Sequence, residues 1–172
     1  MDKIIYITPG FAVTSALAPQ DFAEAARLGF RAVLSNVPDG ESADQLTARD
    51  EAVLAWRAGL KFAHVPACKL DLFTDPVVEG MNDAVGRLDG PILAHCKSGL
   101  RSAIVWAAAS ARSQPVDCVL ERLTAAGFDL DFLRDELDAQ ADRKRWLGDP
   151  AVGLDCGCAE KPVVRLPTAK AA

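Results

Sequence analysis

The chain has 172 residues, of which half are apolar and a quarter are charged. This length predicts one globular domain with a short extension, and the composition is that of an ordinary folded protein. The formal charge of −5 argues against a nucleic-acid or anionic-membrane surface. It leaves an anionic small-molecule substrate open, because the local charge at a site decides that question.

The sequence shows no segment for membrane insertion or export. No run approaches the ~20 apolar residues that cross a bilayer, and the first six residues lack the basic and apolar regions of a secretory signal. The five cysteines are odd in number and irregularly spaced, which favours reduced thiols. We therefore expect a cytoplasmic protein.

Short apolar runs of β type alternate with longer helical patterns along the chain. Proline and glycine separate them, as at Pro9-Gly10 and Gly29. The predicted strands are 4–7, 32–35, 61–65 and 92–94, and the predicted helices are 22–28, 42–58, 75–88, 101–111, 116–125 and 130–146. This order predicts a single α/β domain over residues 1–147, with a mainly parallel sheet of four or five strands flanked by helices. Residues 148–172 lack periodicity and are interpreted as a flexible C-terminal tail.

The segment 95–102 carries the strongest chemical signal. A buried strand ends at His95-Cys96, a short loop containing Gly99 follows, and a helix then begins. Backbone N–H groups of such a loop and of a helix N-terminus converge on one point and bind anions. A cysteine placed there is favoured as its thiolate, which makes Cys96 the candidate nucleophile. A buried core thiol is the alternative interpretation.

Side chains around Cys96 fit an anion-binding loop. Arg101 can hold an oxyanion with two parallel hydrogen bonds, and Lys97 adds a second positive charge. Ser102 is expected to cap an amide or to donate to the Cys96 sulfur. His95 is expected to orient the loop by a hydrogen bond. The predicted anion-binding residues are Lys97, Ser98, Gly99, Leu100, Arg101 and Ser102.

The pattern Cys-x-x-Gly-x-Arg-Ser at a strand-to-helix turn resembles both cysteine phosphatases and rhodanese sulfurtransferases. Segments 11–21, 29–41, 90–106 and 126–130 resemble the phosphatase-like domain family of beta-lactamase-hydrolase-like proteins. That resemblance covers about residues 3–137. It implies a compact fold like that of dual-specificity phosphatases, with the cysteine loop as its active site. Val37 and Ala16 depart from the family, which has arginine and glutamine there, so any substrate contact made by those side chains is missing.

Loop length separates the two chemistries. Cysteine phosphatases have five residues between cysteine and arginine, whereas four lie between Cys96 and Arg101. The same spacing occurs in rhodaneses, and a tighter loop suits a sulfur atom carried on the cysteine. Sulfane-sulfur transfer through a persulfide also needs no acid for a leaving group. We therefore favour sulfur transfer narrowly over phosphate monoester hydrolysis, and a non-catalytic anion-binding or sensor domain is the third alternative.

A phosphatase would need a general acid for the leaving alcohol. Asp71 and Asp75 follow the third predicted strand, where such an acid is expected. Asp71 is the candidate that we retain, although it is more simply interpreted as a polar loop residue. Asp75 is more simply a helix N-cap in Thr74-Asp75-Pro76, and Asp39 is a turn former.

The remaining cysteines give weaker signals. Cys156 and Cys158 form only half of a tetrahedral zinc site, and Cys68, Cys118 and His64 would complete it only by an accident of folding. No metal and no cofactor is predicted. The expected partner is a small anionic or sulfane-sulfur substrate, whose identity the sequence leaves open together with the oligomeric state.

Overall fold

The computed structural model describes residues 3–147, with the backbone alone for residues 144–147. The strands are β1 Ile5–Thr8, β2 Phe11–Thr14, β3 Ala32–Ser35, β4 Lys61–His64 and β5 Ile92–His95. The helices are α1 Asp21–Arg27, α2 Ala48–Arg57, α3 Asp75–Arg87, α4 Leu100–Ala111, α5 Val116–Ala125 and α6 Arg134–Leu147, with a 3₁₀ turn at Asp131–Leu133 before α6. The predicted α/β class is confirmed. The predicted tail, residues 148–172, lies outside the described residues.

The five strands form one sheet in the order β1-β2-β5-β3-β4. β1 runs antiparallel to β2, and all other neighbours are parallel. All four residues of β5 are buried, as expected for a strand that helices cover on both faces. The prediction of a mainly parallel sheet is therefore correct, and the central strand is the one that ends at the candidate nucleophile.

β2 has no counterpart among the strands predicted from the sequence. Phe11–Thr14 follows the Pro9-Gly10 turn directly, and all four residues are buried. Four residues are too few for a periodic signal, and the parallel partner of β2 is β5, which lies about 80 residues later in the chain. Tertiary pairing, which local sequence does not show, therefore decides the conformation of this segment.

The predicted helix over 42–58 is too long at its N-terminus. α2 begins at Ala48, and the Thr47 hydroxyl accepts the Asp50 amide at 3.2 Å as its cap. The Asp39 carboxylate also accepts the Ala48 amide at 2.7 Å, so Asp39 supports the helix start beyond forming a turn. Residues 36–47 therefore form a loop, and this loop carries Glu41 to the candidate site.

The core lies on both faces of the sheet. α3 to α6 cover one face, and α1 and α2 cover the other. α4 is buried along its whole length except at Leu100, and a helix that is apolar on all sides belongs in an interior. Its burial fixes its first turn against the end of β5. Over residues 3–147 no helix is both long and apolar enough to span a membrane.

Candidate active site

A row of polar residues marks the carboxyl ends of the parallel strands. Thr14 and Ser35 both pair with His95 in register, and Ser35 also pairs with His64. Each of these residues is the last of its strand. Ligands in open α/β sheets bind outside this edge. The candidate nucleophile, Cys96, follows directly from the central member of the row.

Cys96 lies in a short loop between β5 and α4. Its side chain is buried, and the amide N–H of Gly99 donates to its sulfur at 3.2 Å. Gly99 has a φ of +85°, a conformation that side-chain-bearing residues rarely adopt. A Cβ at that position would lie 3.3 Å from the carbonyl oxygen of Thr14. Glycine is thus required both by the backbone conformation and by the space beside β2.

Exposed residues follow the buried Cys96 in the loop and at the start of α4. Lys97, Ser98 and Leu100 are exposed, whereas Cys96 and Gly99 are buried. α4 starts at Leu100, so its unpaired N–H groups and the positive end of its dipole lie at this loop. These features favour an anion bound beside the sulfur. The Gly99 contact thus places the backbone of the loop beside the Cys96 sulfur.

The buried guanidinium of Arg101 is held by Glu41. Nη2 and Nη1 of Arg101 donate to the two carboxylate oxygens of Glu41, at 2.6 and 3.1 Å, and Nη1 also donates to the Asn36 carbonyl at 3.2 Å. The hydrogen bond with Arg101 lowers the pKa of Glu41, and the same bond raises the pKa of Arg101. Three of the five guanidinium donors are therefore used.

The donors that remain on Arg101 lie along one edge of its plane. Nε–H and one N–H of Nη2 make no hydrogen bond with any residue in the described part of the chain. Together they form the second, side-on fork that a planar guanidinium presents to a tetrahedral oxyanion. Glu41 therefore fixes Arg101 by one edge and leaves the other edge for an anion.

Asn36 connects the strand ends to Arg101. Its N–H donates to the His95 carbonyl at 2.9 Å, and its side-chain amide donates to the Val65 carbonyl at 2.8 Å. Its own carbonyl accepts from Arg101 and from the Ala67 amide, at 3.2 and 3.3 Å. This fully buried residue thus ties the segment after β4, the end of β5 and the arginine together. Asn36 was not among the site residues predicted from the sequence.

His95 has a different neighbour from the one expected. Its ring is completely buried, and Nε2 lies 3.3 Å from Oε1 of Glu51, which is itself 4% exposed on α2. Neither ring nitrogen makes a hydrogen bond within residues 3–147. The predicted orienting hydrogen bond is therefore not seen, and the ring lies against a buried carboxylate below the loop.

The hydroxyl of Ser102 is buried and makes no hydrogen bond with any described residue. The residue before α4 is Gly99, and no side chain caps this helix. The predicted bonds from Ser102 to an amide or to the Cys96 sulfur are therefore absent. Ser102 lies in the first turn of α4, near the loop.

The two candidate acids have different surroundings. Asp75 begins α3, and its carboxylate binds Arg112 and Arg143, both at 2.5 Å. The hydrogen bond from Arg112 is the largest cause that lowers the pKa of Asp75, which opposes a role as an acid. Arg112 follows the last residue of α4, about 18 Å along the helix axis from the Cys96 end. Asp75 was interpreted from the sequence as the N-cap of this helix. It lies in the first turn of α3, and the N-cap is the preceding residue, Thr74.

Asp71 lies in the loop between β4 and α3. Its backbone N–H donates to the Cys68 carbonyl at 3.1 Å, and its carbonyl accepts from the Thr74 amide and hydroxyl, at 2.9 and 2.7 Å. Its carboxylate makes no hydrogen bond with any other residue of the described chain, Cys96 included. The residue is half-buried. The loop geometry fixes its backbone and leaves the carboxylate available.

The other cysteines add no metal centre to the described region. Cys68 is exposed and Cys118 is half-buried. Residues 3–147 contain no group of three or more histidine, cysteine or acidic side chains arranged to hold a metal. Cys156 and Cys158 lie outside the described residues, and their predicted incomplete zinc pair stays untested.

Comparison with known proteins gives a family match. The model of the family described as beta-lactamase hydrolase-like protein, phosphatase-like domain, matches residues 3–113. A beta-lactamase hydrolase-like protein of Xylella fastidiosa (strain Temecula1) is 31% identical over 105 residues. That alignment covers 61% of this chain and 24% of the relative. The chain thus spans about a quarter of the length of this curated relative.

Solved structures support the same fold. A candidate phosphatase from Neisseria meningitidis Z2491 is similar with a TM-score of 0.67 at 28% identity, covering 80% of this chain and 97% of the other. The core catalytic domain of the PP-IP phosphatase SIW14 from S. cerevisiae is similar with a TM-score of 0.53 at 15% identity, covering 85% and 94%. The second likeness shows the fold alone. The predicted cysteine-phosphatase-like fold is confirmed.

Proposed function

Since this chain belongs to the phosphatase-like domain family of beta-lactamase hydrolase-like proteins, we propose that it hydrolyses phosphate monoesters through a phosphoryl group carried on Cys96. The observation that carries the proposal is the state of Arg101. Glu41 and Asn36 occupy three of its donors, and a parallel pair of donors is left without a partner in the described chain. That pair matches two oxygens of a phosphoryl group.

The first step transfers the phosphoryl group to sulfur. The Cys96 thiolate attacks phosphorus, an S–P bond forms, and the P–O bond to the leaving alcohol breaks. The loop amides, the N-terminus of α4 and the unpaired edge of Arg101 stabilise the negative charge on the phosphoryl oxygens. The Gly99 amide, which donates to the sulfur at 3.2 Å, stabilises the thiolate before attack and again when it leaves.

The leaving alcohol takes a proton in this step, and we assign that proton to Asp71. Its loop follows β4 at the same sheet edge, and its carboxylate has no partner among the described residues, whereas Asp75 is bound by two arginines. In the second step water attacks the S-phosphoryl group and gives its proton to the Asp71 carboxylate. The P–S bond breaks, phosphate leaves, and the Cys96 thiolate is restored.

We therefore favour phosphoryl transfer over sulfur transfer, which reverses the order that the sequence alone suggested. The four-residue spacing between Cys96 and Arg101 led us to favour sulfane-sulfur transfer, but the family match and the Neisseria structure are phosphatase-like. Neither supports a persulfide intermediate. Sulfur transfer remains the second candidate on the loop spacing alone, and a small anionic substrate is common to both.

Intact-protein mass spectrometry with a phosphate-release assay tests the proposal. The reduced protein is incubated with an aryl phosphate, and separately with thiosulfate, beside Cys96→Ser and a Cys68→Ser control. Cys68 is exposed and lies in the loop after β4 that also carries Asp71, so its substitution controls for loss of a thiol. We expect phosphate release by the unaltered protein and by Cys68→Ser, and none by Cys96→Ser.

Each alternative result has a defined meaning. A mass gain of one sulfur atom that requires Cys96, without phosphate release, would replace the proposal by sulfur transfer. If the aryl phosphate is bound without turnover and Cys96 forms no adduct with either reagent, the domain is a non-catalytic anion-binding module. Release of phosphate by Cys96→Ser at an unaltered rate would contradict the role of this thiol.

A further inference from the structure

We propose that Gln140 of α6 is a positioning residue for the general acid, because it holds the loop that carries Asp71. This acid loop, residues 66–74, connects β4 to α3. The inference rests on the proposed function and adds to it a residue outside the segment 3–113 that the family model matches. In this role Gln140 acts through the backbone of the acid loop and makes no contact with substrate.

The acid loop is bonded to the rest of the protein near both of its ends. Near β4, the Ala67 amide donates to the Asn36 carbonyl at 3.3 Å, and the same oxygen accepts from Arg101. Near α3, the Phe73 carbonyl accepts from the side-chain amide of Gln140 at 2.8 Å. The first contact ties the loop to the candidate active site, and the second ties it to the C-terminal helix.

Asp71 is linked to the Gln140 contact through two residues. The amide and the hydroxyl of Thr74 donate to the Asp71 carbonyl at 2.9 and 2.7 Å, and Thr74 follows Phe73 directly. On the other side of Asp71, residues 68–70 are exposed and add no packing that would fix the loop. The backbone of Asp71 therefore follows the position of Phe73, and a shift at Phe73 moves the carboxylate.

The surroundings of Gln140 determine which way its amide faces. The side chain is 2% exposed, and its Oε1 accepts from Nε of Arg112 at 2.9 Å. An arginine only donates, so the amide oxygen faces Arg112 and the amide nitrogen faces the Phe73 carbonyl. Arg112 is itself held by Asp75 at the start of α3. Glutamine satisfies a donor on one side and an acceptor on the other, whereas a glutamate of the same size satisfies only the donor.

This difference separates the acid from the rest of the site. In Gln140→Glu the carboxylate keeps the bond from Arg112 and places an acceptor against the Phe73 carbonyl, so the two oxygens repel each other and that end of the acid loop moves. A general acid must lie within hydrogen-bond reach of the leaving oxygen, and a displacement of about 1 Å costs up to ~100-fold in rate. Cys96 and Arg101 belong to another segment and keep their positions.

The dependence of rate on the leaving group tests this role. kcat/KM is measured for phenyl phosphate, whose leaving group needs a proton, and for 4-nitrophenyl phosphate, whose leaving group departs without one. The variants are Gln140→Glu and Gln140→Met, which removes both bonds and carries the test if the buried carboxylate prevents folding. Leu137→Ala is the control, because Leu137 is fully buried on the same helix and its loss loosens α6 without removing the amide. Circular dichroism checks that each variant is folded.

We expect both Gln140 variants to lower kcat/KM for phenyl phosphate by roughly 10- to 100-fold and that for 4-nitrophenyl phosphate by less than about threefold. Leu137→Ala should change both values in the same proportion. In an Asp71→Asn background, Gln140→Glu should have no further effect on phenyl phosphate, since both changes act through one group. Equal losses with the two esters in the Gln140 variants, or a selective loss in Leu137→Ala as well, would overturn the positioning role.

Hydrogen exchange gives a readout that does not depend on activity. Backbone amides of residues 68–74 should exchange faster in Gln140→Glu than in Leu137→Ala, and equal exchange would contradict the inference. Asp71→Asn separates the two levels of the proposal. If it discriminates between the esters and the Gln140 variants do not, the role of Gln140 alone is wrong. If Asp71→Asn does not discriminate either, the acid assigned in the proposed function is wrong as well.

Discussion

Arg101 and Glu41 form an end-on bidentate ion pair across 60 residues of chain, with N–O distances of 2.6 and 3.1 Å. The pair joins the first turn of α4 to the loop before α2. Arg101 is 8% exposed, so the guanidinium has little freedom once it is held. The orientation of the unpaired edge of Arg101 therefore depends on a residue that does not belong to the Cys96 loop.

Glu41→Gln should lower kcat/KM for an aryl phosphate by roughly 10- to 100-fold, since small displacements of a positioned group cost up to about this much. The amide keeps the size of the side chain and removes the charge that fixes Arg101. Steady-state kinetics beside Glu24→Gln provides the comparison, because Glu24 pairs with Arg27 on the exposed face of α1. Unchanged kinetics in Glu41→Gln would show that Asn36 alone orients the arginine.

The same pair gives a pH dependence of stability. Folding lowers the pKa of Glu41 from its ordinary value of 4.5 because its carboxylate accepts hydrogen bonds from Arg101. A lowered pKa stabilises the fold above the ordinary value, and this contribution is lost as pH falls through the folded value. Urea unfolding should therefore separate the unaltered protein from Glu41→Gln at pH 7 and separate them less at pH 3. A gap that widens on acidification would contradict the assignment.

Gly99→Ala tests the geometry of the loop itself. The φ of +85° and the 3.3 Å approach to the Thr14 carbonyl both oppose a side chain here. We expect a loss of about 1–2 kcal/mol in the free energy of unfolding and a larger loss of activity, because the amide that donates to the sulfur must move. Gly59→Ala is the control, since its φ of +76° is similar and nothing lies near its Cβ position. Equal activity in both variants would contradict the role given to the Gly99 amide.

The sequence was sufficient to locate Cys96, Gly99 and Arg101 because one continuous segment of strand, loop and helix carries them. The alternation of strands and helices likewise predicts the α/β class. Three features could not be predicted from the sequence. The strand Phe11–Thr14 depends on pairing with β5, about 80 residues away. The contacts of Glu41 and Asn36 with Arg101 join residues at least 60 positions apart in the chain, and no local pattern shows them.

Glu51 shows a second reason why sequence reasoning missed a residue. On α2 it resembles any solvated acidic residue of a helix, yet it is 4% exposed against His95. Only the packing of α2 on the sheet makes it buried. A residue such as Glu51, which supports the site from a different helix, has no sequence pattern around it that shows this role. The segment that forms the Cys96 loop does have such a pattern.

Asp71→Asn should lower kcat for a phosphate ester with a poor leaving group by about 10²- to 10⁴-fold, the usual range for loss of general acid catalysis. The effect should be much smaller for an activated aryl phosphate, whose leaving group needs no proton. Asp75→Asn is the matched control. Asp75 is bound by Arg112, at the C-terminal end of α4, and by Arg143. Its substitution should therefore lower stability without changing how kcat depends on the leaving group. If Asp75→Asn lowers kcat mainly for the poor leaving group and Asp71→Asn does not, Asp75 is the general acid.

Glu51→Ala tests the buried pair beneath the loop. Glu51 Oε1 lies 3.3 Å from His95 Nε2, with exposed side-chain fractions of 6% and 1%. Removing the Glu51 carboxylate takes away the polar neighbour of a buried imidazole, which costs about 1–3 kcal/mol in unfolding free energy. Glu79→Ala removes an exposed partner of Arg112 and should cost less than about 1 kcal/mol. Urea unfolding of both variants measures the difference.

A second readout connects this pair to the nucleophile. The His95 carbonyl accepts the Asn36 amide at 2.9 Å, and Cys96 is the next residue, with 1% of its surface exposed. Loosening His95 should therefore open the loop, and iodoacetamide should alkylate Cys96 faster in Glu51→Ala than in Glu79→Ala. Equal stability and equal alkylation rates in the two variants would show that the Glu51–His95 contact supports neither the fold nor the position of the sulfur.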